Sequence, residues 1–403
     1  MSNGTSVEGS TSIPVQRNFV SRLWNDKESR SVIVQIIALA LIFAFFAFMV
    51  RNAVANLEAL GKGFSFAFLG QPSNYDIGQH LIEYSSQSTH LRAMQVGIIN
   101  TLLVAISGIV LATVLGFILG VLRLSKNWVT NKLAQIYIEY VRNVPVLLHI
   151  LLVHGIMIHS LPKPKSAIPL GETSFLTNRG LFMPKPIPEP LLWVVVGLFF
   201  AAIVFAIIFS RWAKKVQAAT GKIYPVFWIN LFAIVVLPVL AYFLLGSPAT
   251  WDSPELKGFN FRGGMVIRPE FIALWLALSF YTAAFIAEIV RAGILAVSHG
   301  QTEASMALGI PRSRTLKLVV IPQALRVIVP PLSSQYLNIT KNSSLAIAIG
   351  YMDITGTIGG ISLNQTGREM ECMMIVMALY LTFSLIISML MNWYNGRIKL
   401  VER

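Results

Sequence analysis

With Cys372 as its single cysteine among 403 residues, the chain can form no internal disulfide and no cysteine-rich metal site. Charge is scarce too: 12% of residues are Asp, Glu, Lys or Arg, about half the share of an ordinary soluble domain, while 55% are hydrophobic. No Gly-x-x-x-x-Gly-Lys-Ser/Thr occurs, because Gly61-Lys62 is followed by Gly and Gly221-Lys222 by Ile. That route to ATP is closed, so the energy for any work has to come from a partner. Paired carboxylates, a His-Glu metal motif and a nucleophile constellation are absent as well, which argues against a membrane-embedded hydrolase. His149, His154 and His159 are five residues apart and splay around a helix, the wrong geometry for a shared metal. They read as packed or interface histidines. Acidic residues are outnumbered 18 to 32, giving a net charge of +14, yet the basic side chains are scattered between apolar runs. They form no compact patch interleaved with aromatics, so nucleic acid is not expected as a partner.

The apolar runs are what the sequence has in abundance. Residues 32–50, 96–122, 191–210, 223–246 and 372–391 are each long enough to cross a hydrocarbon core of about 30 Å at 1.5 Å per helical residue. A shorter run at 271–287 is extended by its flanks. Two weaker spans are 143–161, which holds Pro145, and 327–350, which holds Pro330, Pro331 and Lys341; such groups are tolerated where a helix faces protein or water. The expectation is an all-α integral membrane protein with about eight transmembrane helices in the lipid bilayer. The first run follows 31 polar residues with no small-residue cleavage site near its end and reads as a retained helix. An even number of spans puts both termini on one side. Placing them inside leaves 19 Lys and Arg in inside segments and 11 in outside loops, so both termini are expected to be cytoplasmic.

Residues 301–311 predict a short cytoplasmic helix, with Thr302 as N-cap, Glu303 against the positive end of the dipole, Gly309 as a left-handed stop and Pro311 beyond. Ala304, Ser305 and Ala307 leave one surface flat. So brief a helix needs a partner or neighbouring helices to hold it. Glu303-Ala304-Ser305, Gly309, Val319, Ile321 and Pro322 repeat the spacing of the EAA loop of ABC importer permeases, with Ser, Val and Ile in place of its commonest Ala, Ile and Leu. Residues 281–293, 340–345, 100–102 and 139–145 are similar to the matching segments of polar amino-acid permeases. The last usually reads Arg-Gly-Thr-Pro there and is Arg142-Asn143-Val144-Pro145 here.

The chain thus resembles the general L-amino acid branch of ABC importer permeases. That resemblance implies a type I importer, MetI-like core in 94–160 and 269–397, with a cytoplasmic coupling loop at 293–325. A cytoplasmic segment, 1–31, and a first helix, 32–50, precede it. Between the core halves, 161–268 reads as an insertion of Pro-rich loops around two helices, apolar all round and given no transport role. The resemblance further implies an importer of polar or general L-amino acids in the bacterial inner membrane. Its partners would be ATPase subunits, a second and related permease subunit, and a periplasmic amino-acid-binding protein. ATP and Mg would be bound by the ATPase, and no cofactor by this chain. Glu303, Ala304, Ser305, Gly309, Pro311, Arg312 and Pro322 would couple to the ATPase. An ion-coupled secondary transporter built on inverted repeats is the competing reading, and it leaves the coupling pattern unexplained.

Polar residues inside the spans complete the candidate site. Glu139 with Arg142, and Glu288 with Arg291, are three apart and can pair across one helical turn as structural or gating ion pairs. A zwitterion crossing the bilayer needs hydrogen-bond partners, since an unpaired charge costs several kcal/mol there. Tyr281, Thr282, Asn338, Asn342, Ser343 and Ser344 are the candidates for that path. Lys341 is expected to be buried in protein, because facing lipid would cost about 2.5 to 3.5 kcal/mol.

Overall fold

The computed structural model describes residues 27–398 apart from 60 and 62; most of the cytoplasmic segment expected at 1–31 lies outside the described residues. The chain divides into two compact units, 1–66 and 67–403. In the first, helix α1 (Lys27–Ala59) buries no residue. It is apolar on every side, as a lone lipid-facing crossing should be.

The second unit is built on α2 (His90–Leu122) and α7 (Pro269–Leu295), which run along one another over most of their lengths. Thr89 starts α2 by accepting a hydrogen bond from the Arg92 amide. Gly97, Ala105, Gly108, Ala112, Gly116 and Gly120 form its buried face. A Cβ added at Gly120 would lie 2.7 Å from the Ala287 carbonyl oxygen and 2.8 Å from Val290 Cβ. Between membrane helices, where lipid is as apolar as leucine, such close packing is the main attraction.

Helices α3 (Trp128–Asn143) and α4 (Val146–Ser160) meet at a bend of 106°. Val144, forced out of helical conformation by the following Pro145, is extended at φ −105°, ψ 132°. The span expected at 143–161 is therefore the second arm of a broken pair. Helix α9 (Arg312–Ile349) begins well before the run expected at 327–350. A π turn over Leu316–Val320 carries it past Pro322, and its last turn, Ser343–Ile349, is a 3₁₀ helix ending at left-handed Gly350. Helix α10 (Glu369–Ile398) closes the chain. Ile150, Leu274, Leu278, Ile286, Ile328 and Ile339, from α4, α7 and α9, fill the core. Seven helices among the described residues are long and apolar enough to span a membrane, and the bent pair makes eight, as the apolar runs lead one to expect.

The segment between α4 and α7 has more structure than Pro-rich loops. Helices α5 (Leu192–Thr220) and α6 (Val226–Leu244) lie side by side with mostly exposed apolar faces. Short strands bracket them: β1 (Ile168–Pro169), β2 (Phe175–Thr177), β3 (Gly180–Met183) and β4 (Lys185–Pro188) before, and β5 (Ala249–Asp252), β6 (Glu255–Lys257), β7 (Asn260–Arg262) and β8 (Met265–Ile267) after. One antiparallel sheet runs β1-β2-β3-β8, so the chain on either side of the helix pair is stitched together. Strand β4 pairs with β5 in a register that sets Pro188 opposite Ala249.

Candidate coupling surface and substrate path

Helix α8 (His299–Ala307) starts earlier than its sequence suggests. Ser298, not Thr302, is the N-cap, and its side chain makes no capping bond. Glu303 consequently lies one turn inside the helix and pairs with His299 at 2.9 Å, both side chains being well exposed. The far end is set by Gly309 at φ 75°. Its amide donates to Met306 O at 2.9 Å and the Ile310 amide to Ser305 O at 3.1 Å, the paired bonds of a Schellman stop. Ser305 is buried and donates to Gln301 O at 2.8 Å, and Gln323 on α9 donates to Gln301 Oε1 at 3.3 Å. The helix is thus anchored from behind. Its outward side offers Glu303, Ala304, Met306 and Leu308, the last 79% exposed, and beyond the stop come exposed Pro311, Arg312 and Pro322.

Of the two expected ion pairs, one forms. Arg291 Nε donates to Glu288 Oε1 at 3.0 Å on the last turns of α7. Arg142 does not meet Glu139; its guanidinium stands 5.4 Å from the centre of the Phe285 ring. Next to the α3–α4 bend, the Asn143 amide donates instead to the Glu139 carbonyl oxygen at 2.7 Å. His149 fills the inside of this corner, its ring 5.8 Å from both Tyr140 and Tyr281.

The substrate-path candidates fall into separate groups. Thr282 and Ser343 are buried, and Ser343 donates to Thr340 O at 2.8 Å. Ser344 donates to Lys341 O, also at 2.8 Å. Both serines thereby satisfy their own helix. Tyr281 packs between Phe285 and His149. Asn342 is half-buried, whereas Asn338 is exposed. Lys341 is exposed as well, contrary to expectation. The apolar face of α9 is spent against α2, α7 and α10, and Ser334, Asn338 and Lys341 recur every three or four residues on the opposite face. This chain alone leaves that polar stripe uncovered.

Asp353 is the buried acid that sequence reasoning missed. It lies between spans and is fully buried; its carboxylate accepts from the Gly356 amide and the Tyr380 hydroxyl, each at 2.8 Å. Burial pushes its carboxyl up to about 6. Around it, Asn100 donates to Gln79 O and Met352 O, and Thr101 accepts from the Ile354 amide. The available signal was a lone acid in the apolar stretch from Tyr351 to Ile354. No cluster of three or more His, Cys, Asp or Glu among the described residues could hold a metal ion.

A bundle of spans carrying a protruding, anchored helix and an uncovered polar stripe defines a membrane-embedded subunit of a larger assembly. The family described as "Binding-protein-dependent transport system inner membrane component" matches residues 202–400. The chain is 47% identical to the general L-amino acid transport system permease protein AapQ of Rhizobium johnstonii, over 94% of each chain. It is 48% identical to the putative amino-acid ABC transporter permease protein YhdX of Escherichia coli, over 93% of this chain and 95% of that one. It is also 47% identical to the glutamate/glutamine/aspartate/asparagine transport system permease protein BztB of Rhodobacter capsulatus, over 95% and 97%. The chain belongs to the family of inner-membrane permease components of binding-protein-dependent ABC transport systems. As such it is a non-catalytic membrane subunit.

Proposed function

We propose that the chain is a permease subunit through which polar L-amino acids enter the cell, driven by a separate ATPase that seats on α8. The observation that carries this reading is the geometry of α8: a helix of 9 residues, too short to stand alone, fixed from behind through Ser305 and Gln301 and turned sharply at Gly309. Its exposed face combines a carboxylate with Met306 and Leu308, a combination that fits a groove on a partner better than water. The names of AapQ, YhdX and BztB support amino acids as the cargo.

Both termini lie in the cytoplasm on this reading, and the paired strands around α5 and α6 lie outside, where a secreted binding protein would approach. The stripe of Ser334, Asn338 and Lys341 is covered by a second, related permease subunit or by the water-filled path between the two. ATP and Mg belong to the ATPase. Glu288 with Arg291 ties the inner end of α7, and α5 with α6 is scaffold.

The reading is tested at Gly309 and Glu303. In Gly309→Val a Cβ meets nothing within 4 Å, so only the left-handed backbone is strained, by roughly 1 to 2 kcal/mol. That is small against the membrane domain and large for the aim of a two-turn helix. Permease level is expected to stay near normal while ATPase retention and amino-acid uptake fall severalfold. Glu303→Lys, which also breaks the pair with His299, is expected to behave alike. Wild-type uptake and full ATPase retention in both variants would remove the coupling assignment.

A further inference from the structure

A cavity of about 130 Å³ opens at the end of the core where α2 and α7 begin and α9 ends. Gly78 and Gln79, Arg268 and Glu270, and Tyr351 and Met352 line it. Arg268 uses Nε to donate to Gly78 O at 3.1 Å, and its backbone amide donates to Gln79 Oε1 at 3.2 Å. Its two terminal nitrogens, on an exposed side chain, donate to no group among the described residues, and the half-buried Glu270 carboxylate, whose charge acts on His154, forms no ion pair with Arg268. The position of Glu270 in the first turn of α7 suits the helix dipole. The dipole leaves open what the opposite charge of Arg268, exposed to solvent in the same small cavity, is there to meet.

The walls are held in place. Asn100, fully buried, donates to Gln79 O at 3.0 Å and to Met352 O at 2.8 Å, and Tyr351 donates to Asn100 O at 3.2 Å. The oxygen accepting from Tyr351 is the Asn100 backbone carbonyl; the side-chain oxygen, Oδ1, is buried behind the wall without a partner among the described residues. A cavity lined by one unpaired guanidinium edge and one unpaired carboxylate is complementary to a small zwitterion. A neutral solute would match neither charge, and a simple ion would match only one.

Building on the amino-acid permease reading, we infer that this cavity is an outer amino-acid subsite, where Arg268 receives the α-carboxylate and Glu270 the α-ammonium group. It reads only what all amino acids share. A substrate leaving its binding protein would exchange charge partners here before moving deeper, and the side chain would point out of the cavity, unselected.

The test uses Gly78→Cys. A Cβ at Gly78 lies 3.4 Å from Arg268 Nε, an ordinary contact, and the natural Cys372 is buried. In membranes holding the assembled importer, the rate of maleimide labelling at Gly78→Cys is measured with L-glutamine and with N-acetyl-L-glutamine amide, which lacks both charges. Glutamine is expected to slow labelling severalfold and the amide not at all. Protection is expected to vanish when Arg268→Gln or Glu270→Gln is added. Equal effects of the two compounds, or protection that survives both added substitutions, would overturn the subsite. Should the added substitutions prevent assembly, the contrast between the two compounds on Gly78→Cys alone decides. Uptake by the wild-type importer separates the two levels: uptake without protection removes the subsite only, whereas absence of amino-acid uptake removes the reading beneath it.

Discussion

Burial disfavours the ionised form of Asp353 by more than its hydrogen bonds, those from the Gly356 amide and the Tyr380 hydroxyl among them, favour it. Its folded value of about 6 lies above the ordinary 3.8. Between those values the folded chain binds the extra proton, so the stability contributed by this group is full below about pH 4 and is lost as pH rises to about 6. The difference corresponds to about 3 kcal/mol at about 1.4 kcal/mol per unit. The thermal midpoint of the purified permease, measured relative to Asp353→Asn, is expected to fall over that interval and level off above it. A difference that stays flat from pH 4 to 7 would contradict this. Residue type alone hid Asp353, because its importance comes from Tyr380 and Gly356 closing over it. Gly309 and Pro311, by contrast, were legible from their own backbone preferences. Thr302 was misread as a cap because Ser298-His299-Gly300 carries no apolar periodicity to mark a helix start.

At the scale of elements, the spans could be read from length and apolarity alone, since a membrane leaves few alternatives to a helix. The break before α4 was signalled by Pro145, but its angle was not, being set by how α4 packs on α7. Strands of two to four residues, two of them containing proline, have too little sequence for a periodicity of two to show. They exist because each finds a partner across the sheet. The small-residue face of α2 is the feature whose alteration should cost most at this scale. Gly120→Val inserts atoms where even a Cβ meets Ala287 O at 2.7 Å. Overpacking of this kind costs about 1 to 3 kcal/mol. The expected outcome is a lowered thermal midpoint and reduced permease abundance, with Gly155→Val, where a Cβ meets nothing within 4 Å, nearly silent. Equal behaviour of the two variants would show that contact between α2 and α7 does not limit stability.

For the whole molecule, the informative fact is that Pro188 and Ala249 are directly opposed in the β4–β5 pair although sixty residues of chain run between them. Replacing 189–248 by an Asn-Gly turn converts that pair into an ordinary hairpin. Since neither α5 nor α6 holds a candidate path residue, permease abundance and ATP-driven uptake are expected to stay within about twofold of wild type, a difference of about 0.4 kcal/mol. Normal abundance with lost uptake would give the helix pair a transport role. The same closure bears on inheritance. A gene segment whose two ends meet in the folded product can be gained or lost in one event, with no compensating change demanded elsewhere in the reading frame. On the deletion outcome expected above, permeases with and without the pair descend from one another by a single step, with a working protein before and after it.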